Sequence, residues 1–154
     1  MRLPSKIVLA ASLIMLALVT SCSRIEVSKP EGFAEIKERN TYRAVSPEGV
    51  LYSVRIASNR PRMDLEFWAK ALKNQLVKEG YRILNEEGET FKTNRREGIL
   101  YEWGVPYGNE DYIYLTAIVV SGKTIAIAEA GGEHTDYRNY PTALLDSLKT
   151  LSIR

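Results

Sequence analysis

The chain has 154 residues, 45% hydrophobic and 26% charged, the size of one domain and the balance of a soluble globular protein. A single cysteine, Cys22, excludes an internal disulfide, and a single histidine, His134, excludes metal sites built on several imidazoles. The formal charge of +2 includes Arg2 and Lys6; without residues 1–21 the basic count falls from 21 to 19 against 19 acidic residues, and a neutral chain argues against a nucleic-acid partner.

Residues 1–21 carry Arg2 and Lys6 and then an apolar run from Ile7 to Val19, too short and too asymmetrically flanked for a stable membrane span. This is the pattern of an export signal. It ends in Val19-Thr20-Ser21-Cys22, and at these residues the chain resembles bacterial lipoprotein precursors. The resemblance implies cleavage before Cys22 and acylation of its sulfur and amine, so that the membrane is reached through lipidated Cys22. Ser23 in place of an aspartate resembles the pattern that, in a Gram-negative cell, sends a lipoprotein to the outer membrane, facing the periplasm. Residues 22–32 then comprise the lipidated cysteine and a tether of mixed charges with Pro30 and Gly32, expected to be a flexible coil reaching roughly 17 Å. Residues 33–154 form the expected single α/β domain.

Within that domain, Thr41 to Ser58 alternates as a hairpin, with Ser46-Pro47-Glu48-Gly49 supplying proline and glycine to a type I turn. Val50, Tyr52, Val54 and Ile56 fall on one face, and Leu51, Ser53 and Arg55 on the other. Asn59-Arg60-Pro61-Arg62 breaks the strand. From Asp64 to Glu79 the period becomes helical, with Leu65, Trp68, Leu72 and Leu76 in one stripe, Asp64 as the cap and Gly80 at the C′ position. Trp68 is expected in the core. Tyr81 to Leu84 and Thr90 to Thr93 are short strands.

Gly98 to Ala130 reads as three antiparallel strands rich in Ile, Val, Tyr, Trp and Thr, reversed at Tyr107-Gly108-Asn109-Glu110 and at Ser121-Gly122-Lys123. The third strand has Ile125 and Ile127 on one face and Thr124, Ala126, Ala128 and Ala130 on the other, where a helix can approach closely. Gly131-Gly132 is expected to interrupt the sheet. A second helix, Pro141 to Thr150, presents Leu144, Leu145, Leu148 and Leu151 and is expected on the small-residue face.

The order of these segments (the hairpin YRAVSPEGVLYSVR, a tryptophan-bearing helix, a meander, then AEAGG and a terminal helix ending SLKTLSI) resembles the PsbP-like α/β/α sandwich, shared by PsbP, the bacterial lipoprotein DcrB and the Ran-binding import factors. The resemblance spans most of residues 33–154. It implies an α+β fold, an antiparallel sheet flanked by helices, and a role in binding or assembly without catalysis.

No constellation in the chain carries a mechanism. Ser121-Gly122-Lys123-Thr124 ends like a phosphate-binding loop, but the earlier glycine position holds Ala117 and the segment joins two strands. His134-Thr135-Asp136 lacks a serine in a nucleophile elbow. Glu86, Glu87 and Glu89, and separately Glu110 and Asp111, sit in turns without the ligand spacing of a calcium loop. Glu129 continues the Ile125 and Ile127 face and is the acid to examine for burial.

Two arginine pairs, Arg60 with Arg62 and Arg95 with Arg96, are candidates for anionic headgroups or polymers. The aromatic residues Tyr101, Trp103, Tyr107, Tyr112 and Tyr114 are shared between core and a partner surface, with Tyr101, Tyr107, Tyr112 and Tyr114 the candidates for the surface. The sequence therefore points to a lipid-anchored envelope protein that binds another envelope protein and uses no cofactor. A small periplasmic hydrolase or ligand carrier, working in a cleft between helix and sheet, is the alternative. A closed pocket with convergent polar groups marks the enzyme, and an exposed apolar or aromatic patch marks the binding module.

Overall fold

The computed structural model describes residues 24–85, 87–107 and 110–154, and for residues 106 and 107 the backbone alone. Among these, eight strands form one antiparallel sheet: β2 (Ala34–Ile36), β3 (Thr41–Val45), β4 (Leu51–Ser58), β5 (Arg82–Ile83), β6 (Glu89–Lys92), β7 (Glu97–Tyr107), β8 (Glu110–Ser121) and β9 (Thr124–Glu133). The spatial order is β2-β3-β4-β9-β8-β7-β5, with β6 also on β7. Helices α1 (Leu65–Lys78), α2 (His134–Tyr137) and α3 (Pro141–Lys149) flank it. The fold is α+β, as the segment order implies.

The strands form where branched and aromatic residues alternate, and the turns form where glycine permits them. Gly49 takes a positive φ of 97° and its N–H donates to Ser46 O at 3.0 Å, closing the β3–β4 hairpin. At the β7–β8 reversal, Gly108 and Asn109 lie outside the described residues.

One face of the sheet carries Tyr52 and Val54 of β4, Ala126, Ala128 and Ala130 of β9, and Leu115, Ala117 and Val119 of β8, all buried with Leu144 and Leu148 of α3. The alanines let α3 lie close, as the small-residue face predicts. Proline opens this helix at its first turn, where a missing N–H costs nothing. Each large side chain buried here contributes about 1.5–3 kcal/mol.

The opposite face buries Tyr101 and Trp103 of β7 beneath Ala69 and Leu76 of α1, with Leu72 and Tyr114 half-buried beside them. Asp64 Oδ1 accepts from Phe67 N at 2.9 Å and starts α1. Gly80 and Tyr81 donate back to Val77 O and Leu76 O, which ends it. Trp68 is half-buried, outside the core expected for it, because it lies at the margin of the helix stripe. There its indole N–H donates to Asn59 Oδ1 at 2.6 Å.

Two expectations fail for one reason, that chain-distant partners override local composition. The described part of the expected tether, Arg24 to Gly32, is packed: β1 (Ile25–Glu26) pairs with β10 (Ser152–Ile153), and Ser28 N donates to Thr150 Oγ1 at 2.8 Å. Residues 1–23, with Cys22 and the cleavage pattern, lie outside the described residues. Gly131 and Gly132 do not interrupt the sheet, for β9 runs on to Glu133 and pairs them with Tyr114 and Ile113. A Cβ on Gly132 would meet Val50 Cγ2 at 2.8 Å, so glycine at that position serves close packing against Val50, the residue before β4.

Candidate functional site

Helix α1 packs on β7 and β8 and leaves the same face uncovered from β3, across Leu51 to Arg55 of β4, to Glu129 and Gly131 of β9, while Ile125, farther along β9 on that face, is buried. Alternation places Arg43, Leu51, Ser53, Arg55, Glu129 and Gly131 on that uncovered half. A cleft of about 650 Å³ opens there, walled by Tyr81, Tyr112 and Tyr114 and floored by Leu51 and Gly131. Leu51 is 47% exposed. Gly131 pairs with Leu51 on one side and Tyr114 on the other, and its missing side chain leaves the space between them open.

A polar bridge crosses the cleft. Glu129 lies on β9 between Ser53 and Thr116, two side chains too short to fill its surroundings, so it reaches diagonal neighbours instead. Tyr114 Oη donates to Glu129 Oε1 at 2.7 Å, and Arg55 Nε stands 3.5 Å from Oε2. Both carboxylate oxygens are engaged, and the side chain is 31% exposed. It is neither fully buried nor a simple strand-end charge. Burial first, then the hydrogen bond and charge of Glu129, raise the Tyr114 phenol well above its ordinary value. The bridge presents an oriented acceptor and a fixed neutral phenol, which suits hydrogen-bonded recognition.

The candidate residues from the sequence separate into three places. Tyr112 and Tyr114 line the cleft, and Tyr112 Oη donates to Glu110 Oε2 at 3.2 Å. Tyr101 is 7% exposed and belongs to the core beneath α1, so it leaves the partner surface; alternation alone cannot show which stretch of β7 a helix covers. The Tyr107 side chain lies outside the described residues.

Arg60, Arg62, Arg95 and Arg96 are exposed and away from the cleft, in two loops that the fold brings to one end of the sheet. Asn59 Nδ2 donates to Gly122 O at 2.8 Å, which draws the Arg60–Arg62 loop to the β8–β9 turn. Arg95 and Arg96 flank Ser121 of the same turn.

His134 is exposed at the start of α2, Glu87 and Glu89 are exposed, and Glu86 lies outside the described residues. Among the described residues, no three His, Cys, Asp or Glu side chains are placed to hold a metal ion, and no helix is long and apolar enough to cross a membrane. Leu51, Tyr81, Arg55 and Gly131 were not singled out by sequence. The one signal for them was the outward face of β4, where Leu51 breaks a polar alternation.

No family model and no curated protein sequence matches the chain. Its fold is similar to that of LpqN, a protein involved in cell envelope biogenesis of Mycobacterium tuberculosis, with a TM-score of 0.66 at 11% identity over 85% of this chain and 83% of that one. A Pseudomonas aeruginosa protein of unknown function matches with a TM-score of 0.57 at 10% identity, over 89% and 88% of the two chains. A Bacteroides thetaiotaomicron protein matches at 0.54 and 10%, with 84% of this chain spanning 45% of that one. At these identities the likeness establishes a shared α+β fold.

Proposed function

We propose that the protein is a lipid-anchored component of the bacterial cell envelope that acts by binding through the cleft on the uncovered half of its sheet, without catalysis. The observation that carries this reading is the cleft itself, which is open, walled by tyrosines and floored by exposed Leu51, while Glu129, one of the acids that line it, has both oxygens engaged. Exposed apolar and aromatic surface of this kind is what a binding site presents. The Val19-Thr20-Ser21-Cys22 pattern supports the anchor, and the likeness to LpqN, a protein of envelope biogenesis, supports the location. The segment order resembling PsbP and DcrB supports the non-enzymatic role, and an envelope protein is the expected partner. A ligand-carrier reading has the volume of the cleft in its favour, since about 650 Å³ admits a small molecule.

The test is a photo-crosslinking residue placed at Leu51 in intact cells, with Glu66, exposed in the first turn of α1 and not part of this cleft, as the control. A discrete protein adduct from the Leu51 position, absent from Glu66 and lost when Gly131→Leu fills the cleft, is the expected result. Adducts of equal yield from both positions would overturn it. Turnover of an envelope substrate that disappears in a folded Glu129→Gln variant would establish the hydrolase instead.

A further inference from the structure

The packed course of residues 24–32 changes what a lipid on Cys22 would do. Arg24 N donates to Arg154 O at 2.8 Å and Arg154 N returns to Arg24 O at 2.9 Å, so residue 24 is fixed to the fold. At no more than about 3.6 Å per residue, Cys22 lies within about 7 Å of that fixed point. A domain on so short a lead cannot tumble freely above a membrane, and one end of it must face the lipid.

That end is basic. Ser152 and Ile153 of β10 line a small cavity with Arg95, Arg96 and Ser121, which puts the chain entry beside the β6–β7 turn and the end of β8. Asn59 N donates to Lys123 O at 2.8 Å, and Arg62 Nη2 comes within 3.9 Å of the Cβ position of Gly122. Arg24, Arg62, Arg95, Arg96, Lys123 and Arg154 are therefore exposed together. The acids nearby are fewer: Glu26 is paired with Arg154 at 3.0 Å, Asp64 caps α1, and Glu66 and Glu97 line one cleft with Asp64. At the far end, Glu48, Glu110, Asp111, Glu133 and Asp136 gather around the β3–β4 turn and the outer ends of β8 and β9, offset in part by Arg82 and Arg138.

We infer that the basic end docks on the headgroups of anionic phospholipid in the leaflet that holds the acyl chains, and that the cleft consequently opens away from the membrane; this rests on the lipid-anchor reading above. The 12 residues of β8 span roughly 40 Å, whereas charges are screened over about 8 Å at physiological salt. The leaflet thus attracts the near end and scarcely senses the acidic far end. Orientation comes from the short lead and the local charge together. Tyr112 and Gly131, toward the far end of the sheet, are left facing whatever approaches from the aqueous side.

The test uses the full chain, acylated in cells, purified in detergent and placed in vesicles of phosphatidylethanolamine with about 30% phosphatidylglycerol and a headgroup-bound quencher. A fluorophore is attached through Asn94→Cys, in the β6–β7 turn, or Pro47→Cys, in the β3–β4 turn, each the one free thiol once Cys22 is acylated. Quenching at residue 94 should exceed that at residue 47 by at least about threefold. The contrast should fall in phosphatidylcholine vesicles and in the Arg95→Glu, Arg96→Glu variant, whose folding is checked by circular dichroism. Equal quenching at the two positions, or a contrast indifferent to lipid charge, would overturn the docking. The mass of the mature protein separates the two readings, because a Cys22 without acyl chains overturns the anchor and the docking with it.

Discussion

The covered and uncovered halves of one sheet face can be compared along a single row of paired residues: Val45, Leu51, Gly131, Tyr114 and Trp103 lie side by side on β3, β4, β9, β8 and β7. Backbone pairing is continuous across the row, yet exposure runs from 0% at Trp103 to 47% at Leu51. What changes is the cover. α1 lies on the β7 side and stops short of β4, and β4 and β9 are held by their pairing and by Tyr52, Val54 and the alanines packed under α3 on the opposite face. The uncovered half is thus stabilised from behind and contributes little on its own outer surface. Its side chains are free to serve recognition, whereas those under α1 are committed to the fold.

The largest effect should come from opposing the least and the most exposed residues of that row. Trp103 is wholly buried and its indole N–H donates to Thr116 Oγ1 at 3.0 Å. Trp103→Ala should cost about 3–5 kcal/mol, through the cavity and the buried hydroxyl left behind. Leu51→Ala should cost less than about 0.5 kcal/mol. Urea unfolding of the two variants checks this, and losses of similar size would mean that the halves are not energetically distinct.

Next in size is Gly132→Ala. The new methyl points to the α3 side and would stand 2.8 Å from Val50 Cγ2 and 3.3 Å from Val50 Cα, with Val50 itself buried. Backbone on one side leaves little room to yield, so a loss of about 1–3 kcal/mol is expected. A variant as stable as the parent in the same unfolding measurement would show that β4 can move away from β9.

The two glycines also show where the sequence was legible. Period and punctuation located α1, α3, the β3–β4 hairpin and the three long strands, because each is specified by residues within it: Asp64 and Gly80 bound a helix, and Gly49 and Gly122 close turns with positive φ. Gly131-Gly132 misled because glycine is read locally as a breaker, while here it serves two different neighbours on two faces. The segment 24–32 misled likewise, since its partners Ser147, Thr150 and Arg154 lie more than a hundred residues away. Tyr112 and Tyr114 line the cleft. Tyr101 was not separable from them, since only the path of α1 distinguishes it. The bridge from Tyr114 through Glu129 to Arg55 joins three strands, and no local pattern announces a three-strand site.

A smaller effect should appear at alkaline pH. Burial and Glu129 favour the neutral phenol of Tyr114 in the folded protein, so its folded value is raised above the ordinary tyrosine value of 10.0. A group whose folded value is raised contributes fully below its unfolded value and loses that contribution as pH climbs past it. Stability should therefore decline from about pH 10 upward, aided by Tyr42, which burial and then Glu35 push up to about 12. Tyr114→Phe should flatten part of this decline while changing stability little at pH 8, as followed by the urea midpoint between pH 8 and pH 11. An unchanged slope would place the alkaline loss wholly on other tyrosines, and Tyr114 would then be less shielded at the cleft edge than its bond to Glu129 implies.

The smallest effect on stability, and the sharpest probe of the uncovered half, belongs to Gly131→Ala. Its methyl would point into the cleft, where the nearest atoms are Ile113 O at 3.5 Å and Tyr114 Cδ2 at 3.6 Å, both ordinary van der Waals separations. No positive φ is required of Gly131, and alanine also restricts the unfolded chain, which offsets any small loss. The expected change is within about 0.5 kcal/mol, against the much larger cost one residue later at Gly132. Adjacent residues of one strand thus report on opposite faces, one on packing and one on open space. The same openness makes Gly131→Leu a fair way to fill the cleft without unfolding the protein, with the Leu51 crosslink as its readout. A destabilisation by Gly131→Ala above about 1 kcal/mol would mean that the floor of the cleft is occupied by the protein's own side chains in solution, and the binding surface would then have to be sought elsewhere on the sheet.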